Sequence, residues 1–215
     1  MAGRSQYPGA EQFRPDTASL TALREAARSC RGCDLYAGAT QTVFGRGPRR
    51  ARLMLVGEQP GDVEDREGQA FVGPAGRLLD DALEQAGLAG AELYVTNAVK
   101  HFSFVERGKR RIHQTPRVGQ VTACRPWLTA EIAAVDPALI VCLGSTAVRS
   151  LLGPDVRVLR DRGAVIERDS EAGRRRYLVT VHPSSVLRGP PEDRQQAMAA
   201  LVADLRVAAQ ALPDG

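Results

Sequence analysis

Four short apolar runs, separated by segments of helical periodicity, constrain the fold of this chain more than any other feature. Each run is too short for a typical helix and contains the Leu and Val residues that are typical of buried strands. The runs cover residues 52–57, 93–98, 138–144 and 177–181. Because the strands alternate with helices, they predict a three-layer α/β/α fold around a central, mainly parallel, four-stranded sheet.

The predicted helices are defined by apolar residues that recur every three or four positions. In residues 75–86, for example, Leu78, Leu79 and Leu83 lie on one helical stripe. The other helices are predicted over residues 19–28, 117–135, 146–152 and 192–212. We predict one domain over residues 19–212, preceded by a flexible, Gly- and Pro-rich tail over residues 1–18.

The composition is that of a folded, soluble protein, with 215 residues of which 43% are hydrophobic and 25% charged. No apolar run reaches the length of a membrane span, and the first residues lack the apolar centre of a signal peptide. We therefore expect a cytoplasmic protein with no membrane partner, and a monomer by default. The excess of 29 basic over 25 acidic residues is too small to indicate nucleic acid by itself.

Two basic clusters, residues 107–111 and 174–176, lie in predicted loops. Such clusters contact phosphates in many nucleic-acid-binding proteins. The alternative is a solvated surface run, and composition does not decide between the two.

The four cysteines are unevenly spaced, since Cys30 and Cys33 form a C-x-x-C pair while Cys124 and Cys142 lie far along the chain. In a cytosolic protein this spacing favours a metal or cluster site over disulfides. The pair alone is also compatible with a redox-active dithiol, a zinc site or chance. The candidates for two further ligands are Cys124, Cys142 and His101. Cys142 lies in the middle of an apolar strand, where a free cysteine usually packs as a small hydrophobic residue.

Polar motifs follow the predicted strands at the points where they end. The sequence GEQPGD covers residues 57–62, Asn97 follows the second strand, and HPSS covers residues 182–185. Parallel α/β folds place their chemistry at the carboxyl ends of the strands. We therefore expect these motifs to form one site.

These motifs, together with FVGPAG at residues 71–76, resemble those of the family-4 uracil-DNA glycosylases, in the same order and over about residues 19–210. Such enzymes must extrude the base before they cleave its glycosidic bond, and the base leaves as an anion. The resemblance implies that Glu58 lies near the sugar and that His182 donates a hydrogen bond to uracil O2. It also implies a uracil pocket formed by Gln59, Asp62, Phe71 and Asn97. A contact with the DNA strand is implied for Ser184 and Arg188.

Within that pocket Phe71 would stack on the base and the amide of Asn97 would bind the O4 and N3–H edge of uracil. The alternative for Phe71 is ordinary core packing. The same family has a cysteine soon after the second strand, where this chain has His101. Because histidine can replace cysteine as a cluster ligand, the resemblance implies a [4Fe–4S] cluster bound by Cys30, Cys33, His101 and Cys124. The alternative for His101 is a solvated loop histidine.

The sequence KRRIH at residues 109–113 is similar to the UdgX type within this superfamily, which attaches covalently to uracil-containing DNA. The similarity implies that His113 attacks C1′ in place of water and that Glu58 orients its imidazole. Lys109, Arg110 and Arg111 would hold the loop on DNA phosphates. The expected partner is uracil-containing DNA, preferably single-stranded because flipping then costs less, and the expected product is free uracil.

Two other functions remain open at this stage. One is a conventional multi-turnover glycosylase in which Glu58 positions a water molecule. The other is a non-catalytic iron–sulfur protein that binds DNA or transfers electrons. His113 distinguishes the covalent enzyme from the conventional glycosylase, because only covalent capture requires it.

Overall fold

The computed structural model describes residues 7–89, 91–170 and 173–212. Five strands of this described part form a central sheet in the order β2-β1-β5-β7-β6, and β3 and β4 form a separate hairpin. In chain order the strands are β1 (Leu53–Gly57), β2 (Leu93–Asn97), β3 (Phe104–Arg107), β4 (Arg110–His113), β5 (Leu139–Leu143), β6 (Val165–Ser170) and β7 (Gly173–Thr180).

The sheet contains the four predicted strands, paired in parallel, and one additional strand. β6 pairs antiparallel with β7 at the edge of the sheet. The prediction of four strands was therefore one strand short. The additional strand gives no apolar run because it is an edge strand with charged side chains, such as Glu167, which forms an exposed ion pair with Arg174 of β7.

Helices cover both faces of the sheet, which confirms the predicted three-layer α/β/α architecture. Along β1, Leu53 and Leu55 contact the cluster formed with α3 and α8, while Met54 and Val56 contact the cluster formed with α4 and α5. The helices are α1 (Leu20–Ala27), α2 (Asp62–Glu67), α3 (Pro74–Gln85), α4 (Val118–Val135), α5 (Ser145–Leu152), α6 (Val158–Asp161), α7 (Pro183–Arg188) and α8 (Arg194–Ala211). None of the helices in the described ranges has the length and apolarity required to cross a membrane.

Part of the segment predicted as a flexible tail is packed against the domain. The amide of Gly9 donates to the carbonyl of Gly32 (3.0 Å), and the amide of Ala10 donates to the carbonyl of Ala123 (2.9 Å). Ala10 is fully buried. These bonds join residues distant in sequence, so local composition gave no sign of them. Residues 1–6 of the predicted tail lie outside the described residues.

Candidate active site

The loops that leave the parallel strands converge at one edge of the sheet. Glu58 follows β1, Asn97 ends β2, Thr146 lies in the first turn of α5 after β5, and His182 follows β7. Contacts between these segments, described below, bring the side chains together. The sheet therefore places its polar groups at the carboxyl ends of its strands, as predicted.

Glu58 contacts two groups from other segments. Its Oε1 lies 3.3 Å from Nε2 of His113, and its Oε2 accepts a hydrogen bond from the hydroxyl of Thr146. Burial alone raises the pKa of Glu58, but the hydrogen bonds with His113 and Thr146 lower this pKa below its ordinary value. Glu58 is therefore a carboxylate at neutral pH.

Thr146 is a site residue that sequence reasoning missed. It follows β5 closely, as the other polar residues follow their strands, and this placement was the available signal. Its hydroxyl holds one oxygen of Glu58 and leaves the other to His113.

Replacing Thr146 with valine is expected to reduce the rate of the reaction that depends on Glu58 by roughly tenfold, because one hydrogen bond to a charged group is lost. Thr146→Ser retains the hydroxyl and is the matched control, with a rate expected within about threefold of wild type. Single-turnover rates measured at saturating protein test this. Equal losses in both variants would show that the methyl group, and not the hydroxyl, matters.

The imidazole of His182 is held in one tautomer. Its Nδ1 accepts the backbone N–H of Ser184 (3.1 Å) and lies 2.8 Å from the hydroxyl of Ser184. Arg188 donates to the same hydroxyl at 2.8 Å. Because Nδ1 is an acceptor, the proton of the neutral ring is on Nε2, which makes that nitrogen a donor. Burial lowers the pKa of His182 to about 4, so the ring is neutral at physiological pH.

This depressed pKa predicts how activity depends on pH. His182 remains the same neutral donor down to its pKa of about 4, so the rate of base release is expected to be constant between about pH 5.5 and pH 8. The pH–rate profile should be measured on the His113→Ala variant, so that His113 does not contribute. A protonation step with a midpoint near the ordinary histidine value of about 6.5 would contradict this assignment.

Phe71, His182 and Asn97, the residues where the resemblance implies the base pocket, lie close together. Phe71 has a left-handed backbone (φ 56°), and its ring lies 6.2 Å from that of His182 at an interplanar angle of 27°. A Cβ on Gly57 would lie 2.4 Å from Oδ1 of Asn97 and 2.7 Å from Cζ of Phe71. Gly57 is therefore required for these two side chains to approach each other.

Asn97 provides an unused hydrogen-bond acceptor beside this pocket. The residue is 2% exposed, and its Oδ1 has no partner among the described residues. A buried carbonyl oxygen is seldom left unpaired. The arrangement fits a ligand that presents an N–H group next to the ring of Phe71.

The basic cluster at residues 107–111, which was predicted to lie in a loop, is part of a β-hairpin. β3 and β4 pair with Phe104 opposite His113, and the turn contains Gly108 with φ 60°. The hairpin was not predicted because its strands are polar and exposed and lack an apolar run. Its register places His113 at the open end, where it reaches Glu58.

Gln59 fixes both ends of the hairpin. Its side-chain amide donates to the carbonyls of Ser103 and Gln114, both at 3.1 Å, and accepts the N–H of Ser103 at 2.9 Å. The resemblance implied a uracil contact for Gln59. In the structure its side chain holds the segment that carries His113, and the uracil contact stays a prediction.

Arg111 joins the hairpin to α2. Its guanidinium contacts the carboxylates of Asp62 (2.5 Å) and Asp65 (2.6 Å), and it lies over the rings of Phe102 and Phe104. Only 14% of its side chain is exposed. Arg111 and Asp62, for which a phosphate contact and a uracil contact are predicted, thus form an ion pair with each other in the structure.

Lys109 and Arg110, in contrast, are exposed at the tip of the hairpin. We expect Lys109→Ala and Arg110→Ala each to reduce the slope of log K against log salt for DNA binding by about 1, because each removes one phosphate contact.

Arg111→Ala is expected to leave the slope unchanged and to slow the step that needs His113 by roughly tenfold, since it releases the hairpin. Salt titrations and single-turnover rates on the same variants test both expectations. A reduced slope in Arg111→Ala would show that Arg111 contacts a DNA phosphate.

Three of the predicted cluster ligands, Cys30, Cys33 and Cys124, are buried. Burial raises the pKa of the Cys33 and Cys124 thiols, and the neighbouring cysteines raise it further. The indole N–H of Trp127 donates to Sγ of Cys30 (3.2 Å), and the amide of Lys100 donates to Sγ of Cys124 (3.3 Å). Hydrogen bonds of this kind support thiolate ligands. No three His, Cys, Asp or Glu side chains in the described parts of the chain converge as they would on a single metal ion.

The other two candidates for this site differ in placement. His101 is 5% exposed and directly follows Lys100; burial lowers its pKa to about 4, which leaves the ring neutral. Cys142 is fully buried in β5, as predicted. Cysteine thiols and a neutral imidazole are donor types that iron–sulfur clusters use, so the chemistry of these side chains is compatible with a cluster.

Comparison with known proteins agrees with the geometry of the site. Residues 44–206 match the uracil DNA glycosylase superfamily. The type-4 uracil-DNA glycosylase of Thermotoga maritima is 34% identical, with 77% of this chain and 82% of the relative aligned. Those of Pyrobaculum aerophilum and Archaeoglobus fulgidus are 34% and 33% identical, each over 80% of this chain and at least 85% of the relative. The chain therefore belongs to the uracil-DNA glycosylase superfamily and is related to its type-4 members.

Proposed function

We propose that this protein is a uracil-DNA glycosylase of the UdgX type, which excises uracil from DNA and then becomes bonded to C1′ of the abasic sugar through His113. The observation that carries the proposal is the 3.3 Å contact between Nε2 of His113 and Oε1 of Glu58. It brings a potential nucleophile to the carboxylate that faces the site. The bonds of Gln59 and Arg111 hold the hairpin in this place.

Excision begins with the uracil flipped into the pocket. Phe71 stacks on the base, and Asn97 accepts its N3–H. The C1′–N1 bond then breaks, and both electrons leave with uracil as negative charge shared between N1 and O2. Nε2–H of His182 donates to O2 and stabilises this charge. The sugar becomes cationic, and the carboxylate of Glu58 stabilises it.

Capture follows when the unprotonated nitrogen of His113 donates its lone pair to C1′. A carbon–nitrogen bond forms in place of the bond to uracil, and the imidazole becomes cationic. Glu58 is ionised, so it stabilises that charge. An imidazole bonded to C1′ is a poor leaving group, and each protein molecule therefore reacts once.

The DNA strand is held by exposed cationic side chains around the pocket. Lys109 and Arg110 project from the hairpin, and Arg188 lies beside Ser184 next to His182. These three cationic residues, together with the neutral Ser184, would contact phosphates. Single-stranded DNA is the preferred substrate, because it lacks a paired strand to open. One copy of the chain contains every residue used, which is consistent with a monomer.

The cysteine site is proposed to hold a [4Fe–4S] cluster through Cys30, Cys33, Cys124 and His101. A bound cluster would contribute folding free energy by joining three distant segments of the chain. The amide of Lys100 donates to Sγ of Cys124, and Lys100 directly precedes His101, which supports a site shared by these two proposed ligands. None of the steps above requires electron transfer.

A conventional, multi-turnover glycosylase is the second candidate, and one observation favours it. The side chain of Glu58 is itself 19% exposed, next to a His113 side chain that is 46% exposed, so water can reach the carboxylate. In that case Glu58 would orient a water molecule that attacks C1′, and His113 would only line the site.

A denaturing gel separates the two candidates. The protein is mixed with a labelled single-stranded oligonucleotide that contains one uracil, with a thymine oligonucleotide as control. A uracil-dependent band that survives SDS and heat, with the crosslinked peptide mapping to residues 108–117, supports capture. Free uracil in excess of protein and alkali-sensitive sites, without such a band, indicate the conventional enzyme. If neither appears, the protein does not excise uracil.

A further inference from the structure

Lys100 and Glu131 form an ion pair in the interior, beside the end of β2. Lys100 and Glu131 are each 0% exposed. The ammonium of Lys100 donates to the carboxylate of Glu131, to the hydroxyl of Thr96 (2.7 Å) and to the main-chain carbonyl of Asn97 (2.7 Å). All three donors of the ammonium are thus used.

Glu131 is held in turn by groups on its other side. Its Oε1 accepts the amide of Gly45 and the hydroxyl of Tyr94, both at 2.9 Å. Replacing a buried ion pair with apolar side chains of similar volume is often neutral or stabilising. Stability alone therefore does not account for a fully buried lysine at this place.

The contacts of the Lys100–Glu131 ion pair indicate its role. The carbonyl that accepts from Lys100 belongs to Asn97, whose side-chain Oδ1 is the unpaired acceptor beside Phe71. Beyond Asn97, the amide of Ala98 bonds to Gly57 and the amide of Val99 bonds to Glu58. Three hydrogen bonds therefore hold the main chain from Asn97 to Val99, and they fix the position from which the Asn97 side chain projects.

We propose that Lys100 is a positioning residue for uracil recognition, which holds the Asn97 main chain so that the side-chain Oδ1 stays available for N3–H of the flipped base. This inference rests on the proposed excision of uracil. It concerns base recognition only, so it holds whether His113 or water completes the reaction. Lys100 itself does not touch the base.

The principal test is the double variant Lys100→Met/Glu131→Gln. Methionine retains most of the lysine stem, and glutamine retains an acceptor for Gly45 and Tyr94, so no buried charge is left unpaired. Thr96→Val is a milder variant, which removes one of the three acceptors of Lys100. Tyr94→Phe is the matched control, because Tyr94 contacts the carboxylate oxygen that does not face Lys100.

Two quantities are measured on the full-length protein as purified. The first is the single-turnover rate of uracil release, and the second is the affinity for the same oligonucleotide with a stable abasic analogue in place of the uracil nucleotide. We expect the rate of uracil release to fall roughly tenfold or more in the double variant, which corresponds to one well-placed hydrogen bond. The affinity for the abasic analogue should stay within about twofold of wild type. Thr96→Val should show a smaller loss of the same kind, and Tyr94→Phe none.

A double-mutant cycle with Asn97→Ala tests whether Lys100 acts through Asn97. If it does, adding the Lys100→Met/Glu131→Gln changes to Asn97→Ala should cost little more than Asn97→Ala alone. Additive losses, or parallel losses of uracil release and abasic-site affinity, would show that the pair only supports the fold and would overturn the inference. If the double variant does not fold, the same comparisons on Thr96→Val decide. If the wild-type protein releases no uracil, the proposed function fails first and this inference fails with it.

Discussion

His113→Ala is expected to abolish the SDS-resistant complex with uracil-containing DNA completely while uracil is still released. The physical reason is that Glu58 and His182 remain in place, and removal of an imidazole that is 46% exposed opens room for water at C1′. The released uracil should exceed the amount of protein, because water leaves no bond between protein and sugar. A gel for the complex and a count of uracil released per protein molecule measure both effects.

Glu106→Ala is the matched control for this variant. Glu106 lies on the same hairpin, exposed and without a role in the site, opposite Arg111. The Glu106→Ala variant should form the SDS-resistant complex with DNA at the wild-type rate. Persistence of the covalent complex in His113→Ala would assign the bond to another residue. Loss of both complex and uracil release would show that His113 takes part in excision itself.

His182→Ala is expected to lower the rate of uracil release by about 10²- to 10³-fold, or about 2.7–4 kcal/mol, which is typical of removing one donor from a site of developing negative charge. The effect is large because His182 is preorganised. The Ser184 N–H holds its Nδ1 and fixes the proton on Nε2, so no reorientation is needed as charge develops on O2. Single-turnover uracil release measures the loss.

The affinity for abasic DNA serves as the control for His182→Ala, since that ligand has no O2 to accept the hydrogen bond. It should change little. A loss in uracil release of less than about threefold would mean that another group stabilises the leaving base. Covalent capture should fall in parallel with release in the same variant, because in the proposed mechanism bond breaking precedes attack by His113.

The layers of the fold and the edge that bears the site could be predicted from the sequence. Buried parallel strands have apolar residues on both faces, and this leaves short, continuous apolar runs such as the one that became β5. The end of each run marks the carboxyl end of a strand, where Glu58, Asn97 and His182 were found. Cys142 was assigned to the core for the same reason, since it lies within such a run.

Features at the surface of the sheet had no such signal. The β3–β4 hairpin is mostly exposed, and β6 continues from two partly buried residues, Val165 and Ile166, into exposed charged ones. Their pairing therefore depends largely on cross-strand contacts and leaves no apolar run in the sequence. The sequence also gave no means of distinguishing Arg111 from its neighbours Lys109 and Arg110. The three are chemically alike, and only the position of Asp62 and Asp65 on α2 separates an internal ion pair from a surface charge.

The sequence by itself thus determined the layered architecture, the residue types at the site and the order in which the strands deliver them. Tertiary structure alone decided how these residues are used. In the structure Gln59 donates to the hairpin, Thr146 donates to Glu58, and Lys100 donates to the main chain of Asn97. The reason is physical: periodicity reports which face of an element is buried, whereas a hydrogen bond between distant segments depends on distances of a few ångströms that no local pattern records.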